Sequence, residues 1–331
     1  VQRYCFFLIY ANIYHIFLIF FAKSEHFKFL CLVHRKQTFV YIPKKQYLCT
    51  LKRLNTPIYM IITSLIDDLS ANGLPTEHGL CLHIQLRDGL QVLFDMGQSE
   101  LFWQNAQRMG LDLKEINVAI VSHGHYDHGG GLVSFLEGND QATVYVHKDA
   151  FLPHYSLRED GLTYIGLDPK LSNHPRLVMC DSPLSIQDHL RLFSDVQGSC
   201  CYPPGNRLLF GSTSHVNDTF CHEQNLIIEE GGLSVLIAGC AHRGIVNILR
   251  RSTEMIGHAP TYVLAGMHLL KSGLNPADEA TFIRQLAAEL MHYSHTQFYT
   301  MHCTGKAYYD KLRSIMGTQI TYLSGGDQIV L

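Results

Sequence analysis

From Met60 onward, short apolar runs alternate with longer stretches in which apolar residues recur every third or fourth position. The runs at 80–86, 91–95, 118–122, 143–147, 190–196, 225–230, 233–239, 261–266 and 297–302 predict strands, and the stretches between them predict helices. The clearest helix covers 276–292. Asn275 stands where it can cap the first turn, Pro276 suits that turn, and Ile283, Leu286, Ala287 and Leu290 share one face. Another helix follows Gly305, with Tyr308, Leu312, Ile315 and Met316 at core spacing. Strands and helices in alternation point to a layered α/β sandwich and away from a helical bundle or an all-β domain.

The pattern repeats within this body. Each half gives two adjacent strands, a helix, a strand ending at a histidine, a second helix, and another strand ending at a histidine. These histidines are His123 and His147 in the first half, His268 and His302 in the second. In layered α/β folds such strand ends are where loops converge on ligands, so two pseudo-equivalent halves facing each other would gather four loop clusters.

Residues 1–59 do not share the pattern. They hold fourteen Phe and Tyr, no Gly and no Met, and their nine Lys and Arg face a single acid, Glu25. Without Gly, the segment lacks the residue that most tight turns of a packed domain need. Two readings follow. Either the segment is translated upstream sequence and the working chain starts at Met60, or the apolar run 5–22, between Arg3 and Lys23, is a membrane anchor. Asn12 and His15 inside the run, and the lack of a small-residue cleavage pattern, favour the first. Residues 60–331 are expected to form one domain, with a membrane as partner only if residues 1–59 belong to the working protein.

The whole chain of 331 residues carries 26 Lys and Arg against 29 Asp and Glu, a formal charge of −3. With nine of those bases in the first 59 residues, the body is acidic. It has no basic stripe interleaved with aromatics, which argues against nucleic acid as a partner. No Gly-x-Ser-x-Gly elbow and no phosphate-binding Gly-rich loop is present. The ten cysteines show no paired spacing rhythm, and Cys5, Cys31 and Cys49 fall in the first segment. A reducing cytoplasm is the expected location.

The candidate chemistry concentrates in VAIVSHGHYDHGGGL, residues 118–132. A buried-type strand runs into His123, His125, Asp127 and His128, and Gly129 to Gly131 let the backbone turn tightly before a new helical pattern. Three imidazoles and a carboxylate crowded into one turn would repel or strand one another without a cation to coordinate. Alternation aims His123 and His125 one way, while Asp127 and His128, after the bend, can face a second point. That suits two metal ions.

The H-x-H-x-D-H pattern, preceded by Asp95-Met96-Gly97 at an earlier strand end, resembles the metallo-β-lactamase superfamily. The resemblance covers roughly residues 60–331 and implies a four-layer αββα sandwich holding one or two metals between its halves. GCAHRGIVNIL (239–249), AGMHL (265–269) and MHCTG (301–305) are similar, more narrowly, to the branch of metal-dependent hydrolases that includes an archaeal dihydropterin-ribofuranosylaminobenzene phosphate synthase.

Carried across residue by residue, the resemblance implies that His123 and His125 share the first metal with His222, and that Asp127 and His128 bind the second with His302. Where the superfamily places a bridging Asp, this chain reads Gly239-Cys240. Either Cys240 is a thiolate ligand, which would favour zinc or iron over magnesium, or it is a buried neutral thiol and His242 supplies the missing bond. His268 stands where His123 stands in the repeated half and reads either as a ligand or as a residue supporting a ligand or touching substrate. Asp95 is expected to orient a ligand histidine or a strand-end loop rather than bind metal itself, and His147 and His154 to be ordinary surface or loop residues.

The expected cofactor is zinc, as one or two ions, with iron or manganese as alternatives. A cation held by neutral imidazoles and a carboxylate brings the pKa of a bound water near neutrality, and a second cation would polarise a carbonyl or phosphoryl oxygen. The expected function is metal-dependent hydrolysis of a small molecule, with Asp127, His242 and His268 as catalytic candidates. Arg243, just before the helix at Gly244, and Lys306, just after Gly305, are placed to meet an anion at helix starts. Together with the resemblance to a phosphate-handling enzyme they suggest a phosphorylated substrate. The alternatives are a transferase like that synthase and a non-catalytic metal or redox sensor built on Cys240.

Overall fold

Successive residues of the strands in this chain point to opposite faces, and both faces are apolar, so each sheet needs cover on two sides. The structure, a computed structural model, describes residues 59–331 apart from 182 and 271, and before them the backbone of four strands. The chain divides into two compact units, Val1–Thr56 and Pro57–Leu331. In the first, the strands Phe6–Ala11, Tyr14–Lys23, His26–Val33 and Thr38–Tyr41 pair antiparallel in sequence order. The run 5–22, one of whose readings was a membrane anchor, lies partly outside the described residues. Where its backbone is described it forms two antiparallel strands rather than one helix. Among the described residues no helix is long and apolar enough to cross a membrane.

The second unit holds two seven-stranded sheets. Across the first run Leu177–Cys180, Thr143–His147, Val118–Val121, Gln91–Phe94, Cys81–Gln85, Ile61–Ile66 and Gln328–Val330. Across the second run Leu184–Gln187, Leu190–Phe193, Asn225–Glu230, Leu233–Ala238, Tyr262–Ala265, Gln297–Thr300 and Ile320–Tyr322. Each half begins with an antiparallel pair and continues in parallel strands, which is the internal repeat expected from the sequence. The intersheet core takes alternate residues: Leu82, Ile84, Val92 and Phe94 meet Leu226, Ile228, Val235 and Ile237. Their neighbours face outward. Leu93, Ala119 and Val121 pack beneath the helices Leu101–Arg108 and Leu132–Gly138 through Phe102 and Phe135. Ile227, Leu236 and Ala238 pack beneath Ile245–Ile256, Pro276–Met291 and Lys306–Met316 through Ile248, Leu286, Leu290 and Leu312. The result is an αββα sandwich.

Asn275 caps its helix as its position suggests, its Oδ1 accepting from the N–H groups of Ala277 and Asp278 at 3.0 Å. One core assignment fails. Ile315 is 41% exposed, because Leu312 and Met316, four residues apart, already turn the inner face of that helix to the sheet. A further three-stranded sheet, Gly161–Tyr164, Tyr155–Arg158 and Leu209–Phe210, has no counterpart among the predicted strands.

The two halves deliver strand ends to a common edge, and the backbone bends sharply there. Asp95, Ala241, His268 and His302, each just beyond a strand, have φ of 60°, 53°, 44° and 47°. Non-glycine residues adopt this left-handed region at a cost, so strain gathers where the polar side chains do.

Candidate metal centre

The edge shared by the two sheets is lined with imidazoles, and the outer nitrogen of each determines what its inner nitrogen can do. Asp95 accepts from the Ser122 N–H and hydroxyl, both at 2.7 Å, and from His128 Nδ1 at 2.6 Å. With its one proton given to Asp95, the Ser122 hydroxyl can only accept from His123 Nδ1, 2.9 Å away. His302 Nδ1 donates to Asp68 at 2.6 Å, and His242 Nδ1 donates to the Asn206 carbonyl at 2.9 Å. In its neutral form each of these four rings is therefore held in the tautomer that leaves Nε2 bare. Gly239 is required for this arrangement, since a Cβ there would lie 2.3 Å from Ser122 Oγ.

The bare nitrogens gather in two adjoining sets. The ligand atoms of His123, His125 and His242 lie within 4.8 Å of one another, and so do those of Asp127, His128, Cys240 and His302. His123 Nε2 is 3.0 Å from His125 Nδ1, and His128 Nε2 is 3.1 Å from Cys240 Sγ. His302 Nε2 stands 3.3 Å from Asp127 Oδ2. Buried nitrogens without a hydrogen-bond partner are rare in folded proteins, yet His125, His242 and His302 each have one at Nε2.

The electrostatics divide along the same line. Burial, reinforced by the surrounding imidazoles, holds His123 and His242 well below the usual histidine range, so both are neutral imidazoles at pH 7. Burial also lowers His125. Burial opposes charge on His128 and His302 too, but Asp95 and Asp127 raise the first, and Cys303, Asp127 and Asp68 raise the second. Burial would raise Asp127, yet His128, His302 and His78 carry it well below the carboxylate range. Positive charge is thus wanted beside Asp127. The donor set of neutral imidazole, carboxylate and thiol fits a cation such as zinc, and the orphaned nitrogens fit it independently. Burial pushes the Cys240 thiol up, and a cation there would supply the charge its thiolate needs.

Among residues proposed from sequence, His123, His125, Asp127, His128, Cys240, His242 and His302 come together. His222 falls in a different set, its ligand atom lying within 4.8 Å of those of His125, His154 and Asp218. Its Nδ1 accepts from the Gly124 N–H at 2.9 Å, so its proton sits on Nε2 and faces Asp218 at 3.2 Å. In this hydrogen-bonding arrangement neither nitrogen of His222 is bare, whereas His242 Nε2 is, which makes His242 the better-placed third imidazole beside His123 and His125. His268 lies beside the centre, its ring 4.3 Å from that of His242, its Nδ1 unpartnered and its N–H donating to Cys303 Sγ.

Four further expectations change. His147 and His154 are not surface residues but 4% and 3% exposed. His147 Nδ1 accepts from the Asp149 N–H, and His154 Nδ1 donates to Asp218 at 2.8 Å. The Arg243 guanidinium is committed to the carbonyls of Val196 and Thr219, at 2.8 to 3.2 Å, so it has no free fork for an anion. Lys306 is exposed, pairs with Asp310, and lies over the Tyr309 ring.

A cavity of about 300 Å³ opens onto the centre, with Asp127, Cys240, His242 and His268 in its wall. Neither Arg243 nor Lys306 lines it. Three residues there or behind it escaped sequence reasoning. His78 spans Asp68 and Asp127 at 2.8 and 3.4 Å, Asp68 holds His302, and Arg158 stands in the cavity wall. The acid pair Asp67-Asp68 directly after an apolar strand was a readable signal, being placed like Asp95. For His78 and Arg158 the sequence offers none.

Comparison with known proteins agrees with this geometry. A family model described as the metallo-beta-lactamase superfamily matches residues 76–268. The crystal structure of Tm1679, described as a metal-dependent hydrolase of the beta-lactamase superfamily, superposes with a TM-score of 0.68 at 30% identity, covering 82% of this chain and 98% of that one. An uncharacterised protein of Methanocaldococcus jannaschii is 28% identical over 219 residues, 63% of this chain and 80% of its own. The 7,8-dihydropterin-6-methyl-4-(beta-D-ribofuranosyl)-aminobenzene-5'-phosphate synthase of the same organism is 25% identical over 263 residues, 74% of this chain and 87% of its own.

Proposed function

The chain belongs to the metallo-beta-lactamase superfamily, and from that premise we propose that it is a hydrolase using a metal-activated water on a small molecule. One observation carries the reading: outward acceptors fix the tautomers of four imidazoles so that their lone pairs meet beside Asp127 and Cys240, at the floor of a cavity. Zinc bound there would supply a nucleophilic water near neutral pH and polarise the oxygen under attack.

The chain's own residues do the rest. His123, His125 and His242 would hold one ion, and Asp127, His128, Cys240 and His302 the other, with His123, His128, His242 and His302 positioned by the partners behind them. Asp127, ionised and reached from the cavity, keeps negative charge next to the reacting centre and orients what donates to it. His268 lines the cavity and is placed to touch substrate. Tyr126, Ile165, Leu208, Leu209 and Leu270 give the substrate a partly apolar enclosure that excludes water.

The test is elemental analysis of the purified full chain, followed by turnover of bis(4-nitrophenyl) phosphate, 4-nitrophenyl acetate and a lactone. Activity lost on chelation and restored by zinc, manganese or iron is the expected result. A fully loaded protein that is silent with every probe would refute the hydrolase reading and favour the sensor. A second reading, group transfer, is supported by the synthase relative. Product analysis with and without a non-water acceptor separates it from hydrolysis.

A further inference from the structure

The hairpin that the sequence did not announce forms part of the cavity wall. Its strands, Tyr155–Arg158 and Gly161–Tyr164, pair antiparallel with Arg158 opposite Gly161. Its base is tied to the metal loop: the Tyr126 N–H donates to Ile165 O at 2.9 Å, and His125 bridges to Gly166. Its position is therefore set by the same residues that set the metal ligands. Ser156, Leu157 and Arg158 all line the cavity.

Arg158 is the one Lys or Arg in that lining among the described residues. No hydrogen bond or ion pair engages its guanidinium among the described residues, although Glu159 and Asp160 follow it in the chain. This contrasts with Arg243, whose fork is filled by carbonyls. Leu157, Ile165, Leu208, Leu209 and Leu270 make much of the rest of that lining apolar. A free, planar five-donor cation in the same partly apolar cavity as Asp127, Cys240 and His242 selects a molecule that carries an anion and an apolar body besides its reacting group.

We infer that Arg158 forms an anion subsite of this cavity and that the substrate carries a terminal carboxylate or phosphate separated by an apolar body from the group that reacts. The subsite rests on the cavity being where the substrate of the proposed hydrolase binds, but it can be read without turnover.

The zinc-loaded full chain is titrated by calorimetry with hexanoate, adipate and 6-phosphonohexanoate, and with the eight-carbon set octanoate, suberate and 8-phosphonooctanoate. All six present a carboxylate to the centre, and only the last two of each set carry a second anion. The second anion is expected to tighten binding by about tenfold at the length that spans the cavity, the low end for a charge-assisted contact at an exposed residue. Arg158→Ala should abolish that gain and leave hexanoate and octanoate unchanged, and Arg158→Lys should keep part of it. A larger gain for phosphonate or for dicarboxylate supports the subsite and says which anion it prefers. Full preference retained in Arg158→Ala, or none in the wild type at either length, overturns it. The two proposals fail separately: a catalytically silent protein that still prefers the second anion sinks only the hydrolase, and an active one blind to it sinks only the subsite.

Discussion

His242 and His222 compete for one role, and replacing each with alanine decides between them. Both are buried beside His123, with ring centroids 4.9 and 6.0 Å from it. They differ in the proton. His242 gives its Nδ1 proton to Asn206 and keeps Nε2 bare, whereas His222 accepts at Nδ1 from Gly124 and turns a protonated Nε2 toward Asp218. To ligate through Nε2, His222 would have to move its proton to Nδ1, where it would oppose the Gly124 N–H. A four-ligand zinc site is worth about 10 to 16 kcal/mol, or about 3 kcal/mol per ligand, which corresponds to about a hundredfold in affinity. His242→Ala should therefore weaken the first ion by about a hundredfold and lower the retained zinc by one ion per chain after dialysis. His222→Ala should leave the count unchanged and instead cost about 1 to 3 kcal/mol of stability, because the Gly124 N–H loses its acceptor inside the fold.

The assay is competition for zinc with a chromophoric chelator, with circular dichroism as a check because His242 also stacks on Phe220 at 4.5 Å. If His222→Ala sheds an ion while His242→Ala keeps both, the tautomer argument is wrong.

Two further outcomes follow from the same network. Asp95→Asn replaces an acceptor that serves Ser122 and His128 together, and should weaken the second ion by about 10- to 100-fold; unchanged affinity in the chelator titration would show that Asp95 positions nothing. Glu223 accepts the N–H groups of His242 and Arg243, but burial outweighs them and pushes its carboxyl up to about 7. A carboxyl raised in the folded state stabilises most below its unfolded value of 4.5, and that contribution is lost as pH rises to about 7. Over that window the chelated wild type should lose about 3 kcal/mol relative to Glu223→Gln. Denaturant titrations at several pH values measure the difference, and parallel pH profiles would refute it.

What could be read from the sequence was what is local. The strand-turn-helix around His123 to His128 carries its ligands within six residues, and the cap at Asn275 needs only its neighbours. The repeat of strands and helices was legible because hydrophobic periodicity is a property of consecutive residues. The repeat alone does not pick ligands: His147, not expected to bind metal, occupies the strand-end position of one and turns its ring to the backbone of Asp149. Topological equivalence places a residue at the shared edge without choosing its rotamer.

The choice between His222 and His242 was illegible for a different reason. Each is a histidine near a strand of the second half, and no spacing separates them. The deciding atoms are the Gly124 N–H, 98 residues from His222, and the Asn206 carbonyl, 36 from His242. A histidine becomes a ligand only when something else takes its second proton site, and that partner is usually distant in the chain. Arg243 illustrates the converse. Its place before a helix start suggested an anion, but an arginine is available only if nearby carbonyls leave its fork empty, and those of Val196 and Thr219 do not. Arg158, with no motif around it, is free because neither Glu159 nor Asp160 in its hairpin turn, nor any other described residue, pairs with it. The chemistry of this edge is therefore decided less by which ionisable residues reach it than by which of their donors and lone pairs are still unpaired on arrival.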